Sequence, residues 1–384
     1  MKTAFLNGSV VFPDSIQKLN ILCEDDQIIA IDQTQFSADV IIDAKDAFIT
    51  PGFFDIHVHG GNGHDFMEAS LNAFKKVSDF HLSQGATSQY PTAISSPKTA
   101  IDRFIKAFES GLNSTDISAR LLGVHLEGPY LSPLKNGAHP LAFLHNPLPF
   151  EYTEWIEKHD VIKRITAAPE LPGALEMGDY CHKMGVNISM GHSNAYAPQI
   201  EHAIKHGYNS VTHLYNAMSS VGEYLGKKSA GIAEMALLKP ELYVEVIADL
   251  QHVPKELILL AYQNKGSDKM ILVSDCLSPA GMTHGEFFLG EKADGIQVDV
   301  KDAVYLHGMS KLAGSIATVN TLLKNVVSLG IDLIDAVKML SLTPATLLNV
   351  DDILGSIKIG KKADLLVLDQ QLNVKHVMCK GKIV

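Results

Sequence analysis

Arginine is nearly missing from this chain: Arg103, Arg120 and Arg164 are the only three in 384 residues. Basic residues number 32 against 43 acidic ones, leaving a formal net charge of −11. Nucleic-acid binding needs a basic footprint, so that class is argued against, as are polyanion coats and acidic membrane surfaces. No apolar run approaches the ~18 residues of a membrane span. The opening stretch Met1-Lys2-Thr3-Ala4-Phe5-Leu6-Asn7-Gly8 has no signal-like apolar core. Cysteine is sparse and scattered at Cys23, Cys181, Cys276 and Cys379, with no C-x-x-C pair. Disulfide scaffolds are short and cysteine-dense, so a reduced, cytoplasmic protein with packing thiols is expected. Low-complexity linkers and short solenoid repeats are also missing. Histidine, by contrast, is plentiful at 17.

With 46% hydrophobic residues the chain has the makings of an ordinary globular core. Short β-rich runs bounded by turn residues open it, at 18–23, 27–31 and 40–42. Similar runs close it, at 355–360, 364–369 and 374–378. Residues 1–52 and 355–384 are therefore expected to share one small β-sandwich domain. Between them the pattern becomes strand, loop, helix, repeated. Strand candidates fall at 53–59, 87–94, 120–126, 164–168, 186–190, 210–214, 242–248 and 270–274. Helical periodicity lies between most of them, at 68–84, 97–110, 173–184, 198–206, 230–238 and 254–264. Such alternation implies parallel strands with crossover helices. An α/β fold follows, a (β/α)8 TIM-like barrel over 53–354, since such barrels typically take ~250 residues plus insertions.

Barrel active sites occupy the C-terminal ends of the strands. The first strand ends Asp55-Ile56-His57-Val58-His59, and its period of two puts His57 and His59 on one side. The third ends at Glu127, the fifth runs into His192, the sixth into His213 and the eighth into Asp275. Taken singly, each of these reads equally well as a satisfied structural residue. Their convergence on one rim points to a metal centre. Nitrogen and oxygen donors without thiolate suit Zn²⁺, Fe²⁺ or Mn²⁺. A cation there lowers the pKa of its water toward ~7 and polarises a carbonyl. Asp275 is placed to move the water proton to a leaving amine; a plain ligand or a helix cap is the alternative. Hydrolysis of an amide or related carbonyl compound is expected. There is no nucleophile-elbow serine and no glycine-rich phosphate loop.

These residues resemble the amidohydrolase superfamily, and within it the N-acetylglucosamine-6-phosphate deacetylases. The resemblance rests on Pro51-Gly52-Phe53-Phe54-Asp55-Ile56-His57-Val58-His59-Gly60, His125-Leu126-Glu127-Gly128-Pro129-Tyr130 and Lys135-Asn136-Gly137-Ala138-His139. Gly191-His192-Ser193-Asn194-Ala195, Thr212-His213-Leu214-Tyr215-Asn216-Ala217-Met218, Ile247-Ala248-Asp249, Val273-Ser274-Asp275 and Leu312-Ala313-Gly314-Ser315 continue it. It implies that Glu127, His192 and His213 hold the principal metal, with a second ion at His57 and His59 bridged by Glu127. One or two divalent ions, Zn²⁺ before Fe or Mn, are thus implied. His139 would polarise the acetamide carbonyl, and Ala138, Asn216, Ala217 and His252 would contact the phosphorylated N-acetyl amino sugar. Ala313, Gly314 and Ser315 would close on the sugar. The resemblance also implies a homodimer, in which an arginine after the Asn-Ala-Met segment reaches the phosphate of the partner. That arginine is missing here: the stretch reads Leu225-Gly226-Lys227-Lys228. Lys227, or else Lys228, is the expected replacement, unless the phosphate requirement has weakened or the substrate has changed.

Three functions are compatible with these residues. The first is deacetylation of N-acetylglucosamine 6-phosphate, with the galactosamine epimer a close variant. The second is hydrolysis of another N-acyl substrate, motivated by the lost arginine. The third is a silent barrel scaffold, which normally loses its ligands, whereas this chain keeps them.

Overall fold

The computed structural model describes residues 1–112, 114–293 and 295–384. Eight parallel strands form the barrel: Phe53–Val58, Ala86–Ala93, Val124–Glu127, Ile162–Ala167, Asn187–Met190, Tyr208–Val211, Tyr243–Val246 and Met270–Leu272. Each pairs with the next in chain order. The ring meets itself where Val58 bridges Cys276 and the Asp275 N–H donates to the His57 carbonyl at 2.9 Å. Strands covered on both faces read as near-continuous apolar runs, and Phe53, Phe54, Ile56 and Val58 of the first strand are all buried.

The expected helices occur at Leu71–Ser83, Lys98–Leu112, Ala174–Lys183, Ala197–Lys205, Ile232–Leu238 and Lys255–Lys269. The first begins later than position 68 because Ser70 Oγ accepts from the Ala73 N–H at 3.1 Å and caps it. Phe66–Glu68 ahead of it is a separate 3₁₀ turn capped by Asp65. Several elements carry no strong sequence signal. Pro149–Lys158 adds a helix between strands three and four. After strand eight comes an antiparallel sheet of Phe287–Leu289, Ile296–Val300, Val304–Leu306 and Leu312–Gly314. Helices Val319–Ser328, Leu333–Leu340 and Leu342–Leu347 follow it.

The termini build a second sheet of eight strands. Its longest, Lys2–Val11, carries an irregularity between Phe5 and Gly8. Before it the strand pairs with Val40–Asp43, and after it with Phe48–Pro51. Leu365–Leu368 of the C-terminal segment pairs with Phe48–Pro51 and with Val374–Cys379. The sheet packs on a core of Phe5, Val10, Ile21, Ile49, Leu365 and Val367. One expectation fails: residues 355–360 form turns rather than a strand, with Gly355 at φ 80° and Gly360 at φ 91°.

Arg120 ties this domain to the barrel. Its Nε lies 2.6 Å from Asp364 Oδ2, and its Nη2 reaches Asp26. Asp364 comes from the C-terminal part of the small domain, Asp26 from the N-terminal part. Removing one partner of a buried pair strands the other charge. Arg120→Ala is therefore expected to lower unfolding stability by about 3 kcal/mol, measured by urea denaturation followed by circular dichroism.

Candidate metal centre

Three site residues follow their strands in an unusual backbone state. His192 has φ 46°, His213 φ 31° and Asp275 φ 46°. Left-handed conformations in non-glycine residues cost of order 1–3 kcal/mol and persist only where the surroundings enforce them. Here the enforcing contacts are visible. Ser132 N–H donates to the His192 carbonyl at 2.9 Å, and Asp275 N–H donates to that of His57 at 2.9 Å. Gly137 packs so tightly that an added Cβ would sit 2.7 Å from His192 Cε1.

Glu127 is the hub. Its Oε1 lies 2.9 Å from His213 Nε2, 3.2 Å from His192 Nε2 and 3.5 Å from His57 Nε2. Its Oε2 lies 3.2 Å from His59 Nε2. Asp275 Oδ1 stands 3.3 Å from His59 Nε2 and 3.5 Å from His57 Nε2. The imidazole nitrogens also face each other, His192 with His213 at 3.0 Å and His57 with His59 at 3.3 Å. His192 Nδ1 donates to the Lys135 carbonyl at 2.9 Å, which leaves Nε2 as a bare lone pair. Lone pairs converging at these spacings suit a cation. Tetrahedral ligands at ~2.0–2.1 Å from zinc stand about 3.3–3.4 Å apart. Among the described residues, two groups meet the geometry of a cation site: His57, His59 and Asp275, and Glu127, His139 and His192.

His139 thus lies inside the second group. Ser95 N–H points at its Nδ1 from 3.3 Å, and Ser95 Oγ lies 2.8 Å away. With Nδ1 accepting from the Ser95 N–H, the proton sits on Nε2, 3.2 Å from Glu127 Oε2. Burial, aided by nearby His192, pushes the His139 pKa down to about 4. The ring is a neutral donor aimed into the site.

A cavity of about 460 Å³ opens over these groups. Of the residues expected to touch substrate, Ala138, Asn216, Ala217, His252 and Ala313 line it. Gly314 and Ser315 do not; Ser315 N–H donates to the Asp275 carbonyl at 2.9 Å, and Gly314 packs against Leu277. Nor does Lys227 line its own chain's cavity: it is exposed on the hairpin of Gly222–Tyr224 and Lys227–Ser229. Leu225 at the tip is 86% exposed. Lys135, Lys311 and Leu289 line the cavity without having been anticipated. Lys135 lies within the Lys135-Asn136-Gly137-Ala138-His139 segment, whereas Ser95, two residues past the end of strand two at Ala93, offered only its position. His252 is clamped by Asp249, whose Oδ2 lies 2.7 Å from Nδ1 and whose Oδ1 accepts the His252 N–H at 2.8 Å. Burial pulls the His252 pKa down, but Asp249 outweighs it and holds it above the ordinary range.

The amidohydrolase family model matches residues 48–384. The chain belongs to the amidohydrolase family. As an amidohydrolase it is a metal-dependent enzyme, and the donor cluster at the strand ends fits that requirement. An N-acetylglucosamine-6-phosphate deacetylase of Vibrio furnissii is 32% identical, over 88% of this chain and 82% of that one. An N-acetylgalactosamine-6-phosphate deacetylase of Escherichia coli O157:H7 is 31% identical over 90% of each. The crystal structure of N-acetylglucosamine-6-phosphate deacetylase from Pasteurella multocida superposes with a TM-score of 0.92. It is 30% identical to this amidohydrolase, over all of both chains.

Proposed function

We propose that this amidohydrolase cleaves the acetamide of N-acetylglucosamine 6-phosphate, releasing acetate and glucosamine 6-phosphate. The observation that carries the reading is Glu127 at the centre of four imidazoles, with Asp275 and His139 beside it under one cavity. Barrel residues 53–354 do the chemistry, and segments 1–52 and 355–384 form the companion domain. Glu127, His192 and His213 would hold the principal ion. His57 and His59, with Glu127, would hold a second. Zn²⁺ is the ion we propose for this nitrogen and oxygen set. A bound divalent ion supplies hydroxide at neutral pH and a polarised carbonyl.

The chain's own groups do the rest. Asp275 accepts the proton of the attacking water and delivers it to the departing amine as the C–N bond breaks. His139 Nε2–H donates to the carbonyl oxygen as negative charge builds there. Asn216, the backbone N–H of Ala217 and the His252 imidazole hold the phosphate. In a homodimer, Lys227 of one protomer reaches the phosphate in the other. The enzyme works in the cytoplasm, in keeping with four buried cysteines that are all unpaired.

The E. coli relative's name favours a second reading, the galactosamine epimer. A panel of N-acetylglucosamine and N-acetylgalactosamine, each with and without the 6-phosphate, tests both by acetate release. The glucosamine 6-phosphate should turn over fastest. Faster turnover of the galactosamine 6-phosphate selects the second reading, and equal turnover without phosphate removes the phosphate contacts from the account. His252 adds a pH signature. Because Asp249 raises its pKa, His252 loses its imidazolium charge at a higher pH than an ordinary histidine does. KM for the phosphorylated sugar is expected to rise as that charge is lost, and KM for the unphosphorylated sugar to stay level.

A further inference from the structure

Strand seven, Tyr243–Val246, carries one charged side chain in an apolar run, Glu245 between Val244 and Val246. The residue is fully buried inside the barrel. Its Oε2 lies 3.2 Å from His57 Nδ1 and accepts the backbone N–H of His213 at 3.3 Å. Its Oε1 lies 2.6 Å from Arg164 Nη2. Arg164 is also fully buried, and its Nη1 donates to Asn187 Oδ1 at 2.7 Å. The Glu245 carbonyl accepts the Leu214 N–H at 2.7 Å, one residue past His213. One carboxylate therefore touches a ring of one ion subsite and the backbone of the other.

We propose that Glu245, charge-balanced by Arg164, is the positioning residue that couples the two ion subsites by orienting His57 and His213 together. The proposal rests on the metal reading given above. A carboxylate accepting from Nδ1–H fixes the His57 tautomer, presents Nε2 as a lone pair and strengthens it as a donor. The other rings are braced differently. His192 leans on the Lys135 carbonyl. Among the described residues, His59 Nδ1 and His213 Nδ1 are buried without a hydrogen-bond partner. His57 is thus the ring with a carboxylate behind its Nδ1, and His213 is fixed through its main chain. Arg164 keeps that carboxylate from being an isolated charge in the core, which would be costly.

The test uses the full-length protein loaded with Zn²⁺ or Co²⁺. Glu245→Gln keeps the shape and removes the charge. It strands Arg164, however, and can fail to fold. An Arg164→Met/Glu245→Met double variant removes the whole pair, an exchange that buried ion pairs often tolerate without loss of stability. Elemental analysis and competitive chelator titration measure ion content and affinity, and the visible spectrum of the Co²⁺ form reports ligand geometry. Losing the brace should weaken one ion by about 10- to 100-fold, the usual effect of removing an outer-shell partner. The second ion should weaken less, and the Co²⁺ spectrum should shift. Melting curves check that the double variant stays folded. A folded double variant with both affinities and the Co²⁺ spectrum unchanged overturns the proposal. Acetate release is scored separately on the wild type: ions bound without acetate release would sink the substrate reading and leave this one standing.

Discussion

Asp275→Asn is expected to cut kcat for acetate release by about 10³-fold, within the ~10²- to 10⁴-fold span typical of a positioned general acid–base group. Asparagine keeps the shape and the left-handed backbone at φ 46°, a conformation it adopts more readily than most residues. It cannot take a proton from water. KM should change little, because the phosphate contacts at Asn216 and His252 are untouched. The same experiment separates two roles. Asp275 Oδ1 stands 3.3 Å from His59 Nε2, close enough to be a ligand. If coordination were its main task, the variant would lose one ion in step with its activity. The account expects the ion content to hold while turnover collapses, read by elemental analysis beside a rapid acetate assay.

Glu127→Gln should have the largest effect. This carboxylate approaches His57, His59, His192 and His213, all within 3.5 Å. The amide offers one neutral oxygen in place of two sharing a negative charge, so the Glu127, His192 and His213 subsite loses its anionic donor and the His57 and His59 subsite loses the one it shares. Ion content should fall below one per chain. The cation's contribution to transition-state stabilisation is worth several kcal/mol, so activity should drop by about 10³-fold or more at ~1.4 kcal/mol per decade. Four imidazoles would remain with nitrogens 3.0 to 3.3 Å apart within each facing pair. Excess ion should restore only part of the loss.

Much of this was legible in the chain because a parallel barrel leaves a strong trace. Its strands are buried on both faces, so they stand out as short apolar runs, and reactive residues collect at one end of each. His57, His59, Glu127, His192, His213 and Asp275 were visible for that reason, and the structure brings all six together. Other parts left fainter traces. The sheet from Phe287 to Gly314 has strands of three to five residues with polar positions such as Gln297 and Asp299, which resemble loops. Ser95 is chemically ordinary and matters only through its contact with His139. Glu245 was detectable as a lone charge in an apolar strand, yet its partner Arg164 lies 81 positions away in the sequence. Lys227 stands on a hairpin outside the cavity of its own chain, so only in the proposed homodimer would it meet a substrate.

The shortage of arginine acquires a physical meaning as well. Arg103 pairs with Glu291, Arg120 with Asp364 and Arg164 with Glu245. All three are committed to carboxylates of this chain. An anionic substrate must then be met by His252, by backbone and amide donors, and by lysine. Lysine binds phosphate as a point charge without the bidentate fork.

The central claim is that the strand-end cluster hydrolyses an acetamide only with ions in place. Chelator-stripped protein, titrated with Zn²⁺ while acetate release from N-acetylglucosamine 6-phosphate is followed, tests it most directly. The account predicts no release at zero ion, a rise that tracks bound ion, and a plateau at one or two per chain. Full acetate release from the stripped protein, or ion binding with no release at any occupancy, would contradict it.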